Sequence, residues 1–275
     1  HILPERMGLL GCKETRKREL RRFFVDRIEE RNGLCVITGP EARHMTRVLR
    51  MEPGDSLVLM DGGGKRFQAR IESVAPKHVQ VILQESLPSL PPSPIKITLC
   101  QALLKSRPMD YLIQKTSELG VDSIFPFTSK RTVVRLTDER MENKIRHWRQ
   151  IALNAAKQSG RPAPAEIAAP APLGELLERW RNEDCLKFIL WEQEEAKDLK
   201  SLLNQPPWRA RVIGVVGPEG GFDRQEIKAA LDAGFISISL GQRVLRSETA
   251  AAALIAILQY ECGDLSPIGA QIRYP

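Results

Sequence analysis

The stretch Val212-Ile213-Gly214-Val215-Val216-Gly217-Pro218-Glu219-Gly220-Gly221-Phe222-Asp223 decides the fold. Its first five residues form an apolar run rich in β-branched side chains, which suits a strand in a sheet covered on both faces. The run passes into a Gly-Pro-Glu-Gly-Gly loop. Asp223 then caps a helix, and Glu226, three residues on, completes a capping box. Gly234 ends that helix as C-terminal glycines do. A second strand over 235–240 follows, then the loop Gly241-Gln242-Arg243-Val244-Leu245-Arg246. Ser247 is placed to cap a long alanine-rich helix.

Strand, helix and strand in this order make a βαβ unit, whose strands run parallel. Both loops therefore leave from the same edge of the sheet, the carboxyl edge at which open α/β sheets bind ligands. A third loop, after a strand at 186–191, emerges there too. Glycines let a ligand approach the main chain closely. A phosphate cradle does not fit: residues 217–221 are not G-x-G-x-x-G, no Walker lysine follows, and Glu219 repels a phosphate. A ligand bearing positive charge suits a glutamate better, and S-adenosylmethionine (SAM) carries a sulfonium and an ammonium. From these residues alone, two tight structural turns are an equal reading.

Upstream, strands at 95–100 and 121–127 alternate with helices at 107–119 and 138–159. That alternation predicts a mostly parallel sheet covered by helices, an α/β domain over 95–275. The Pro/Ala-rich stretch 161–172 is read as a loop. Leu87 to Ile95 reads L-P-S-L-P-P-S-P-I; its four prolines forbid a regular helix, so 87–94 is a linker. Before it, residues 21–86 carry short strands at 23–28, 34–38, 56–60, 66–74 and 78–83. Pro53-Gly54-Asp55 and Asp61-Gly62-Gly63-Gly64 form turns, and Gly39-Pro40-Glu41 opens a short helix. Many short strands with tight turns predict a small barrel. Residues 1–20 form a basic extension outside the fold.

The bulk composition narrows the function classes. Of 275 residues, 42% are hydrophobic and 27% charged, a globular balance. Five scattered cysteines without a C-x-x-C pair, and four histidines at no ligand spacing, argue against a metal site or a disulfide framework and fit a reducing cytosol. No apolar run reaches the roughly 18 residues of a membrane span, and the basic N-terminus lacks the core of a secretory signal. The net charge of +7 suits a polyanionic partner. Residues 130–161 alone carry nine Lys or Arg against three acids.

G-P-E-G-G-F (217–222) together with L-G-Q-R-V-L-R-S-E-T-A (240–250) closely resembles the bacterial 16S ribosomal RNA uridine-N3 methyltransferases of the SPOUT class. Similar segments lie at R-R-F-F-V (21–25), H-M-T-R-V-L-R (44–50), Q-A-L-L-K (101–105), K-T-S-E-L-G-V (115–121) and A-A-K-Q-S-G-R (155–161), so the resemblance spans about residues 21–263. Gln242 and Ser247 depart from the commoner residues. The resemblance implies a SPOUT-type parallel sheet with a deep trefoil knot, a PUA-like RNA-binding barrel, SAM as cofactor, no metal, 16S rRNA of the small ribosomal subunit as substrate, a homodimer and a cytoplasmic setting. It marks Leu190, Trp191, Gly217, Pro218, Glu219, Gly220, Gly221, Leu240, Gly241, Arg243, Leu245, Arg246 and Thr249 for cofactor binding. Arg21, Arg22, His44, Arg47, Arg50, Lys105, Gln158 and Arg161 are the RNA candidates. For catalysis, Arg243 and Arg246 stabilise charge on the uracil oxygens, and Glu219 or Glu248 takes the N3 proton. Two rival readings keep part of this picture: a SPOUT 2′-O-ribose methyltransferase, and a non-catalytic RNA-binding ribosome-assembly factor.

Overall fold

The computed structural model describes residues 20–25, 27, 28, 33–88, 92–134, 138–204 and 210–265. The N-terminal extension, save residue 20, and the centre of the proline-rich segment lie outside the described residues.

The N-terminal half is one curled sheet. Its elements are β1 (Arg21–Phe24), β2 (Leu34–Thr38), α1 (Gly39–Arg43), a π-helical turn (His44–Val48), β3 (Ser56–Met60), β4 (Arg66–Val74) and β5 (His78–Leu87). The strand order is β1-β3-β4-β5-β2. No ladder among the described residues joins β1 to β2, so the predicted barrel is a curled sheet with two edges. The curl follows from irregularities in the β4–β5 register at Gln68/Ala69 and Ile71/Ser73, since bulges sharpen strand twist. Alternation places Cys35 and Ile37 inward, where they meet Leu57, Leu59, Ile71, Val79 and Val81; Ala42 and Met45 pack into the same core. Two strands differ in extent from expectation, and β1 also starts two residues earlier, at Arg21. β1 stops at Phe24 rather than 28, and β5 runs on to Leu87 because Arg66 and Phe67 of β4 offer partners to Leu87 and Ser86.

The C-terminal half comprises β6 (Lys96–Ala102), α2 (Ser106–Glu118), β7 (Ser123–Thr128), α3 (Asp138–Ser159), β8 (Glu166–Ile167), β9 (Ala171–Pro172), α4 (Leu173–Trp180), β10 (Leu186–Leu190), α5 (Leu199–Leu203), β11 (Arg211–Val216), α6 (Arg224–Asp232), β12 (Ile236–Ile238) and α7 (Ser247–Cys262). Every pairing in this sheet is parallel, in the order β12-β10-β11-β6-β7-β8, with β9 also on β7. Residues 161–172, read as loop, thus contain two short strands. The outer edge of β7 has backbone groups to satisfy: Glu166 donates its amide to Asp122 and Ala168 donates to Ile124, at 2.9 and 3.0 Å.

Both faces of this sheet are buried. Leu99, Val212 and Phe188 join α2, α3 and α7 on one side; Cys100, Ile213 and Ile189 join α4 and α6 on the other. Helix α2 buries Met109, Leu112, Ile113 and Thr116, spaced as one helical face. Helix α7 buries Ala251, Leu254, Ile255 and Leu258 but leaves Thr249, Ile257 and Tyr260 exposed. The two halves meet on α3. Phe24, Val58 and Met60 pack on Ala156, a Glu41–Lys157 ion pair bridges α1 to α3, and Arg22 donates to the carbonyls of Lys157 and Gln158.

Candidate active site

A cavity of about 620 Å³ opens at the carboxyl ends of β10, β11 and β12. The strand order explains its position. β10 lies between β11 and β12, all three run parallel, and so the loops after them converge. Leu190 to Glu192 supply one wall, Val216 to Phe222 a second, and Ile238 to Glu248 a third, with Pro108 and Ala250 completing the lining. Twelve residues marked for the cofactor in the sequence line this cavity, and so does Glu248. Thr249 does not; it is exposed on α7.

Local chemistry shapes each wall. The 217–221 loop closes as a turn through a Gly221 amide to Pro218 carbonyl bond of 3.0 Å. Gly221 has φ +67°, so the loop needs glycine for its backbone; a Cβ there would stand 2.6 Å from Glu192 Oε1, the far end of an exposed, flexible side chain that can yield. Asp223 caps α6, accepting from the amides of Gln225 and Glu226 at 2.8 and 2.9 Å, while Glu226 Oε2 accepts the Asp223 amide. Glu226 Oε1 also accepts the Lys130 amide at 2.8 Å, and Lys130 Nζ lies 2.8 Å from Asp223. The Lys130 ammonium first, and then the Glu226 amide, hold the Asp223 carboxyl below the usual carboxylate range. Arg131 donates to the Gly220 carbonyl at 2.8 Å. The segment after β7 is thereby strapped to the glycine loop.

Ser247 does not cap α7. Arg246, in extended conformation, is the residue before the helix, and Ser247 is the first helical residue. Its hydroxyl donates to the Gly217 carbonyl at 2.6 Å and accepts from Gln101 Nε2 at 2.9 Å. A partner thirty positions away in sequence wins over the helix's own amides. Glu192, Phe222, Val244 and Ser247 line the cavity without having been marked. Glu192 directly follows the third strand, so extending that loop by one residue would have found it.

The RNA candidates divide by their partners. Arg21, His44, Arg47, Arg50, Lys105 and Gln158 are exposed. Arg47 rides on the π-helical turn, and Arg50 has φ +49°, a conformation uncommon for a residue with a side chain. Arg161 instead donates to the Ser117 and Val121 carbonyls at 2.9 and 2.6 Å, and burial lowers its pKa. Arg22 caps the carboxyl end of α3 in the same manner. Both guanidinium groups hold helix ends in place.

Comparison with known proteins adds an independent line. Residues 91–259 match the family described as RNA methyltransferase domain, and residues 37–84 match RNA methyltransferase PUA domain. A Bacillus subtilis protein named ribosomal RNA small subunit methyltransferase E is 28% identical over 251 residues, covering 88% of this chain and 97% of its own. Among solved structures, a Neisseria gonorrhoeae ribosomal RNA small subunit methyltransferase E bound to S-adenosyl methionine is 30% identical, with TM-score 0.81, over 90% of this chain and 99% of its own. A Legionella pneumophila protein in complex with SAM is 36% identical, with TM-score 0.82, over 90% of this chain and 100% of its own.

Proposed function

The chain belongs to the RNA methyltransferase family, and we propose that it methylates N3 of a uridine in 16S rRNA of the small ribosomal subunit, with SAM as methyl donor. The observation that carries this reading is the convergence of Gly217–Gly221 and Leu240–Arg246, the two segments of the resemblance, on one cavity. The cavity fits the donor. Its volume suits a cofactor-sized molecule, Leu190, Trp191 and Leu245 offer apolar surface, and Glu192 and Glu219 supply negative charge for a cationic ligand. Backbone groups of the glycine loop and of 240–246 would hold it.

When bound, SAM supplies an electrophilic methyl group. The chain's own residues must orient the uracil ring and remove its N3 proton. Glu219 and Glu248, both at the cavity, are the carboxylates assigned to accept that proton. Loss of the proton leaves negative charge on the flanking uracil oxygens, and the guanidinium of Arg243 or Arg246 stabilises it. The exposed Arg21, His44, Arg47, Arg50, Lys105 and Gln158 are assigned to the RNA.

Three finer assignments accompany this. The Trp191 amide donates to Ile238, Ser239 donates to Lys197, and the Leu199 amide returns to Ser239; the chain leaving β12 is thus gripped at both ends of the loop after β10, which supports a trefoil knot there. The exposed Thr249, Ile257 and Tyr260 face of α7 supports a homodimer with C₂ symmetry. Among the described residues no helix is long and apolar enough to cross a membrane, and rRNA as substrate supports a cytoplasmic setting. The division into a small curled-sheet domain over 21–86, a linker over 87–94 and a methyltransferase domain over 95–275 is part of the same proposal. Mass spectrometry of ribosomal RNA after incubation with the protein and labelled SAM is the test. Label on a uracil N3 supports the reading. Label on a ribose 2′-oxygen gives the 2′-O-methyltransferase, and SAM binding without label refutes catalysis on this RNA.

A further inference from the structure

We propose that Gln101 and Ser247 are positioning residues that set the shape of the SAM cavity through the carbonyl of Gly217. This inference rests on the functional reading above and deepens it.

Gln101 sits on β6 directly opposite Val216 of β11, so its side chain reaches the point where β11 turns into the glycine loop. It is fully buried, and Ser247 is 7% exposed. Gln101 Nε2 donates to the Ala102 carbonyl at 3.0 Å and to Ser247 Oγ at 2.9 Å. An amide nitrogen only donates. The serine oxygen must accept there, so its own proton points at Gly217, whose carbonyl lies 2.6 Å away. The polarity of the whole chain is fixed by one glutamine.

The consequence falls on the Gly217–Pro218 peptide. Pro218 has no N–H to anchor that plane. The carbonyl of Gly217 is therefore its hydrogen-bonding handle, and Ser247 holds it. The same hydroxyl belongs to the first residue of α7, directly after the 240–246 loop. One bridge thus sets the distance between two of the three cavity walls. The arrangement is not what packing alone favours. Among the described residues Gln101 Oε1 is buried without a partner, and an unpaired buried acceptor costs stability that an apolar side chain of similar size would avoid. A residue that only filled the core would not need the amide; one that orients a hydroxyl does.

The test is SAM affinity by isothermal titration, together with steady-state methylation, for wild type, Ser247→Ala, Ser247→Thr, Gln101→Met and the Gln101→Met/Ser247→Ala double variant. Ser247→Ala is expected to weaken SAM binding about tenfold, equivalent to about 1.4 kcal/mol, and to raise KM for SAM while kcat at saturation changes less than about twofold. Ser247→Thr, which keeps the hydroxyl, restores affinity. Gln101→Met weakens binding through the same bridge, so the double variant is no worse than Ser247→Ala alone. Multiplicative effects in the double variant, or Ser247→Ala binding SAM as wild type does, would overturn the inference and leave the proposed function standing. A wild-type protein that binds no SAM overturns both.

Discussion

Alanine at Gly217 and alanine at Gly220 should behave differently, although the two glycines share one motif. A Cβ on Gly217 would stand 2.9 Å from Phe222 Cε2, 3.1 Å from Cδ2 and 3.3 Å from Cζ. The ring cannot retreat easily: Phe222 is 2% exposed and stacks on the fully buried Phe127, with centroids 6.2 Å apart and planes 9° from parallel. Forcing a methyl into such packing costs about 1–3 kcal/mol. At roughly 2–4 °C per kcal/mol for a chain of this size, the melting temperature falls by about 2–12 °C. At Gly220 the nearest atoms to a new Cβ are Arg131 Cβ at 3.4 Å and Cδ at 3.6 Å, an ordinary contact with a flexible side chain. Gly220→Ala should stay within about 0.5 kcal/mol of wild type. Gly221→Ala falls between them, because its φ of +67° adds strain of about 1–2 kcal/mol while Glu192 is free to swing aside. Differential scanning calorimetry of the three variants gives the order directly. Equal melting of Gly217→Ala and Gly220→Ala would refute the packing argument, since the two differ only in what surrounds them.

Three further outcomes follow from the same structure. RNA affinity should fall steeply with salt; about four phosphate contacts give roughly a 50-fold loss between about 50 and about 200 mM, and a flat titration would exclude the electrostatic mode. The Asp223 carboxyl, held low by Lys130 and the Glu226 amide, contributes stability above its unfolded pKa near about 3.9 and loses it as pH falls through the lower folded value; the melting gap between wild type and Asp223→Ala should narrow on acidification, and a gap constant with pH would contradict the assigned ion pair. Ile257→Asp with Tyr260→Asp on the open face of α7 should convert a dimer to monomer in light scattering, whereas a wild-type monomer fully active at nanomolar concentration rules the dimer out.

What the sequence made legible was whatever depends on near neighbours. The strands Leu34–Thr38, Ser56–Met60 and Arg66–Val74 and the helix Asp138–Ser159 have the bounds read from periodicity and turn residues. The Asp223–Glu226 capping box is local and was readable as such. Parallel strands alone placed the three loops at one sheet edge; their meeting depends on β10 lying between β11 and β12. β8 and β9 were illegible because two residues have no period; the open edge of β7 creates them.

Partners distant in the chain decided the rest, and the same physics runs through each case. Arg22 and Arg161 were read as RNA candidates and Ser247 as a helix cap. In the fold each meets backbone carbonyls: Arg161 those of Ser117 and Val121, Arg22 those of Lys157 and Gln158, and Ser247 that of Gly217. A carbonyl at the end of a helix or strand needs a donor once water is excluded. Backbone carries no residue identity, so no motif records where that need will arise. Arg47 and Arg50 have the same side chain as Arg161 and stay exposed at the surface. Charge type therefore selects which residues can donate, and the folded backbone selects which of them do.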